Sequence, residues 1–189
     1  MPQRLPRRTT RRRAEVVLDA EVAAVIRTEL PAVADRTVEA IISEVPSYAD
    51  ALAGSMGETI RRAVQLALTG FITLASRADT TVPTGTALEG AYQLGRGEAR
   101  AGRTMEALLA AYRIGARVSW RDLSRAAVSS GVDAEQLSRF AELVFAYIDE
   151  LSAASAAGHT DELESSGRLR RRDLERLART LLTLSLIHI

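Results

Sequence analysis

Apolar residues recur along this chain with a period near 3.6, and β-branched residues never alternate over a useful length. From Ala14 the spacing of Val17, Ala20, Ala24 and Ile26 predicts a first helix that Pro31 would end. Pro31 suits the first turn of a second helix, running through Val33, Val38, Ile41 and Ile42 to Val45 before Pro46 stops it. After a link at Ser47–Asp50, a long third helix is expected over Ala51–Ser76, with a stripe of Ile60, Val64, Ala67, Phe71 and Leu74. Leu66, Leu68 and Ile72 on its other faces mark it as the central helix, surrounded on most sides. The segment Asp79–Gly85, rich in threonine and holding Pro83, predicts a loop.

A fourth helix follows over about Thr86–Ala101, and Gly102 breaks it. Thr104 can cap a fifth helix whose core face is Leu108, Tyr112, Gly115, Ser119, Leu123 and Ala126; Gly115 and Ser119 there would let a neighbouring helix come close. Gly131 ends that helix, and Asp133 with Gln136 three residues on is a capping-box-like start for the next, whose stripe is Leu137, Phe140, Val144, Ile148 and Leu151. Beyond Ser152 the chain turns small and polar, with Gly158 and Gly167, before Leu174, Leu177, Leu181 and Leu184 return in three-four-three spacing. That seam is short for a coiled coil, so an amphipathic linker helix is the plainer reading and a homodimer through the seam the alternative. The pattern predicts an all-α protein: a multi-helix bundle of about six to seven helices with a long C-terminal helix. Its parts are an Arg-rich tail (1–13), a helical domain (14–158) and a linker helix (159–183). Residues 184–189 resemble translated sequencing-adapter sequence and are set aside, with the expectation that the natural reading frame runs on into an output segment.

With 189 residues, 47% of them hydrophobic, one sizeable helical core can be buried. The absence of cysteine excludes disulfides, zinc-thiolate sites and cysteine nucleophiles. All 25 basic residues are arginine, and six of them stand in residues 1–13, a tail that cannot bury apolar surface and reads as disordered. The remaining 19 arginines face 24 acidic residues, a poor electrostatic match to a phosphate backbone, so direct nucleic-acid binding is not expected. The longest apolar stretch, Ala63–Ala75, is interrupted by polar residues and too short to span a membrane, and the arginine tail is not followed by the apolar run of a secretory signal. A cytoplasmic location without membrane attachment is the expectation.

Three segments invite a chemical reading. Gly97–Thr104 matches a phosphate-binding loop with arginine in place of lysine, but a helical run precedes it where a strand is needed, and Glu98 would face the phosphates. Ala127, Gly131 and Leu137 have helix-turn-helix spacing, yet the second helix would offer Asp133, Glu135 and Gln136 to DNA, and a plain helical hairpin accounts for them better. The third is an arginine and aromatic cluster, Arg96, Arg100, Tyr112, Arg113, Arg117 and Trp120, which could present guanidinium groups and an indole to an acidic ligand or partner helix. An outer face of salt bridges to Glu98, Glu106, Asp122, Asp149 and Glu150 is the competing account. No catalytic set is visible: the two histidines are His159, placed in a polar linker, and His188, and neither has a partner at metal spacing, so no metal or cofactor is expected.

The run Tyr92–Thr104, continued by Leu108–Arg117 to Trp120, and the run Leu143–Ser152 resemble the amino-terminal domain of actinobacterial PucR-type transcriptional regulators. That domain is related to the amino-terminal region of RsbT co-antagonist proteins of the RsbRD type. The resemblance extends over roughly Val16–Leu182 and implies a helical sensory or regulatory domain, not an enzyme, followed in an intact regulator by a degenerate cyclase-like domain and a C-terminal DNA-binding helix-turn-helix. The partners expected are that DNA-binding region, a possible second copy of the chain, and an unidentified small ligand or protein. A stress-response interaction module working by assembly is the alternative.

Overall fold

A computed structural model of the protein describes residues 18–53, 55–76 and 85–187. The arginine tail, the greater part of the expected loop at Asp79–Gly85, and His188 fall outside the described residues. Among those described are five α-helices and one 3-10 helix: α1 (Ala20–Glu44), a 3-10 segment (Pro46–Ala53), α2 (Ser55–Ala75), α3 (Gly85–Arg100), α4 (Met105–Ser129) and α5 (Ala134–Ile187). The all-α class and the long last helix are as expected; the count of six to seven is not reached, because two expected breaks do not occur.

The first is at Pro31, which lies inside α1. A proline there removes one backbone hydrogen bond and costs about 3 kcal/mol in a helix interior. Pro31 is exposed, as is Arg27, whose carbonyl loses its partner, so water can satisfy that group. On the opposite face Ile26, Leu30, Val33, Ala34, Val38 and Ile41 are buried in one stripe running past the proline, and this packing holds the two halves collinear. The stripe also corrects the register of the first half: Ala23 and Ile26 face the core, whereas Ala20 and Ala24 are exposed. The link expected at Ser47–Asp50 is part of the 3-10 segment, anchored by the buried Tyr48.

The second missing break lies beyond Ser152, where α5 continues through Gly158 and Gly167 for 54 residues in all. At the usual rise that is about 80 Å. Its first half packs on the bundle; farther along, Leu163, Leu169, Leu174 and Leu177 are 54–66% exposed.

Chain turns elsewhere follow their local signals. Thr104 caps α4 by accepting from the Ala107 N–H at 3.2 Å. Gly131 takes φ +88°, and the Val132 N–H returns to the Ala127 carbonyl in a Schellman arrangement. Asp133 and Gln136 then exchange side-chain bonds to each other's backbone N–H at 2.8 and 3.2 Å, a complete capping box.

Helix α3 lies most closely on α5, while α1 packs against α4 and α2. The main core gathers Ile26, Val33, Phe71, Ile72, Leu123 and Phe140, and the Phe71 ring meets Phe140 and Tyr147 at 5.2 and 5.5 Å. A smaller cluster holds Val38, Ile41, Tyr48 and Ile60. Leu66 of α2 is 42% exposed, so α2 is not the surrounded central helix that its apolar content suggested. No helix among the described residues is long and apolar enough to cross a membrane.

The α3–α5 contact is backbone against backbone. A Cβ on Gly95 would lie 2.7 Å from the Ser155 carbonyl carbon, and one on Gly158 would lie 2.9 Å from that of Tyr92. Neither neighbour can yield without moving a helix. Gly95→Ala and Gly158→Ala should therefore each lower stability by about 2 kcal/mol or more, the scale of overpacking. Gly97→Ala, on the same helix with nothing within 4 Å, should be neutral or stabilising. Urea denaturation of the three variants checks this; equal stability of all three would mean the helices do not cross here.

Candidate functional site

Helices α1 to α5 and the 3-10 segment line a partly open cavity of about 160 Å³. Its wall is mainly aliphatic and is notable for small residues: Ala63, Ala67, Gly90, Ala111, Gly115 and Ala116. A cavity forms where helices held apart by larger side chains elsewhere carry only alanine or glycine in between. Leu66, which is 42% exposed, also borders it. A Cβ on Gly90 would approach Leu66 Cδ2 to 3.1 Å, so glycine there leaves the leucine room.

Polar groups do reach the wall, and each makes a hydrogen bond within the protein. Thr37 and Ser119 share a hydrogen bond at 3.3 Å. The Tyr112 and Ser155 hydroxyls are 2.7 Å apart, and Ser155 donates onward to the Ala91 carbonyl at 2.6 Å. Tyr147 donates to the Ala67 carbonyl at 3.1 Å. Burial pushes the Tyr147 phenol up to about 12 and raises that of Tyr112, so both act as neutral donors or acceptors at physiological pH.

At one end sits Glu98, only 1% exposed. It accepts from the Tyr48 hydroxyl at 2.6 Å and from Arg103 Nε at 2.5 Å, while the Arg103 guanidinium stands over the Tyr48 ring at 5.1 Å. Burial, then the hydrogen bond to Glu98, raises the Tyr48 phenol above its ordinary range. His159 is buried on α5, correcting its placement in a polar linker; its Nε2–H donates to the Arg103 carbonyl at 2.8 Å, and its Nδ1 has no hydrogen-bond partner. Gly97–Thr104 is thus the last turn of α3 and the α3–α4 link, with Gly102 at φ +75° and Glu98 engaged inward. The Ala127–Leu137 segment is the turn between two long helices.

The arginine and aromatic cluster does not form one face. Arg96 and Arg100 of α3 both bind Glu162 of α5, at 2.8 and 2.9 Å. Arg117 reaches Glu44 of α1, and Tyr112 turns toward the cavity. Trp120 packs on Phe140 and Phe145, at 5.9 and 6.3 Å between ring centroids. Arg113 is exposed. Of the acids named as salt-bridge partners, Glu98 and Asp122 serve, Asp122 with Arg36 and Arg121; Glu44 and Glu162 were not anticipated, being distant in sequence. Tyr48, Ser155 and Glu162 also escaped the sequence reading, and His159 was misplaced by it. For Glu98 a signal existed: it continues the small-residue face Ala87, Ala91, Gly95 of α3 and so had to point inward.

Glu98→Gln removes the charge facing Arg103 in a buried site and should cost about 2 to 4 kcal/mol, read by chemical denaturation; a cost near zero would show the pair to be solvated. The hydrogen bonds from Arg100, then Arg96, hold the Glu162 carboxyl below its usual range. A depressed carboxyl stabilises the fold above its unfolded pKa, about 4.3, and that contribution fades as pH falls through the lower folded value. The stability difference between wild type and Glu162→Gln should therefore be present at pH 6 and close in strongly acidic solution; a difference independent of pH would count against the ion pair.

The family model described as PucR-like N-terminal domain matches residues 16–183. No curated protein and no solved structure matches the chain.

Proposed function

The chain belongs to the PucR-like N-terminal domain family, and from that premise we propose that it is the regulatory domain of a transcriptional regulator, acting in the cytoplasm without catalysis. It couples a signal sensed in the bundle to a C-terminal DNA-binding region of the intact regulator. One observation carries this reading: α5 is a single helix whose first half walls the core and whose second half extends beyond it. Val144, Tyr147, Ile148 and Leu151 border the cavity, and Glu162 receives Arg96 and Arg100 from α3. A change in the packing of α3 or α4 is thereby passed along a rigid rod as a rotation or shift. An acidic protein partner would be met by Arg113 and Arg117 on the outer side of α4.

A helical rod transmits phase, which gives the test. Two alanines inserted after Ser166 in the intact regulator turn everything beyond by about 200°, whereas seven restore the phase to within about 20°. The expected result is a reporter response lost with two and retained with seven. Equal responses would end the proposal that the signal travels through α5. The exposed Leu163, Leu169, Leu174 and Leu177 favour a second reading, an interaction module that works by helix association. Insensitivity to helix phase, with self-association abolished by Leu174→Glu, would favour it.

A further inference from the structure

The cavity has room for a ligand, and its wall says what kind. Glu98 is the charged group that borders it, and that carboxylate is already held by Tyr48 and Arg103. Thr37, Ser119, Tyr112 and Tyr147 each make a hydrogen bond within the protein. A charged ligand entering here would lose its water and meet no unpaired opposite charge to replace it, a cost that apolar contacts do not recover. An apolar molecule, in contrast, gains dispersion contacts with a mainly aliphatic wall.

Size narrows the class. An apolar cavity of about 150 Å³ engineered into another protein stays dry and takes up benzene, and the space here is about 160 Å³. Leu66, on the wall, is partly exposed, so the space is not sealed from solvent on every side. Ala111 and Gly115 of α4 form one wall, and Val144 and Ile148 of α5 border it too, so an occupant touches the helix that leaves the bundle.

We propose that this cavity is a binding site for an uncharged, apolar small molecule of about one aromatic ring, and that such a molecule is the signal the domain senses. The second half of that statement rests on the regulatory reading above; the binding itself does not. Occupation would oppose collapse of the bundle around the space and so fix the position of α5 relative to α4.

The test uses toluene as probe and benzoate as its charged counterpart, with thermal denaturation of the 189-residue chain in sealed vessels. Toluene should raise Tm by about 3 to 5 °C at concentrations well above its Kd, and benzoate should not. Ala111→Leu places a side chain in the space and should abolish the toluene shift. Gly115→Ala serves if that variant folds poorly, since its new Cβ meets Thr37 Cγ2 at an ordinary 3.5 Å; it should reduce the shift. No toluene shift in the wild type, an undiminished shift in both variants, or a benzoate shift as large as that of toluene would overturn the proposal. Because the assay needs no reporter, its failure is distinct from failure of the phase experiment. Binding without any reporter response to toluene-like compounds would leave the site standing and remove it as the signal input.

Discussion

Two helices in this protein touch through their backbones, and the remainder of the site is arranged around that contact. Gly95 and Gly158 leave no side chain between α3 and α5, so each helix fits the other's carbonyls where a Cβ would otherwise stand. At that separation Ser155 reaches the Ala91 carbonyl, and Arg96 and Arg100 reach Glu162. Dispersion contacts at such a crossing are numerous, and the polar bonds beside it add direction. The pair therefore behaves as one rigid unit whose second member continues beyond the bundle.

Glycine and alanine have a different consequence a few ångströms away. At Gly95 the absent side chain is replaced by the neighbour's backbone; at Gly115, Ala67 and Ala111 nothing moves in, and the space remains. The large side chains that keep these helices apart, among them Phe71, Tyr147 and Leu108, stand around the same cavity and are themselves held by packing or hydrogen bonds. Collapse of the cavity would require moving them together. An interior that is close-packed elsewhere tolerates one such void because its surround is rigid.

Buried charge is treated in the opposite way. Glu98 lies almost wholly out of water, and the fold surrounds it with a phenol and a guanidinium supplied by the 3-10 segment and the α3–α4 turn. These pieces are separated by fifty residues of sequence in one case and five in the other. The arginines of this region are used in the same spirit: Arg103 inward, Arg96 and Arg100 across to α5, Arg117 across to α1. They tie helices together, and Arg113 is left on the outer surface.

The sequence by itself determined the helical class, the family, the caps at Thr104 and Asp133, the turn at Gly131 and most of the apolar stripes. Each of these depends on residues within a few positions of one another, where periodicity and hydrogen-bonding chemistry act locally. The tertiary structure decided what local rules misjudge. Pro31 and Gly158 look like helix ends, but packing on the far side of α1 and against α3 outweighs their local cost. His159 looked solvated until α5 carried it under the α3–α4 turn. Above all, the cavity and its hydrogen-bonded polar wall arise from residues of every helix, meeting across separations of forty to eighty positions. A void has no residue of its own, so only the assembled bundle could reveal it.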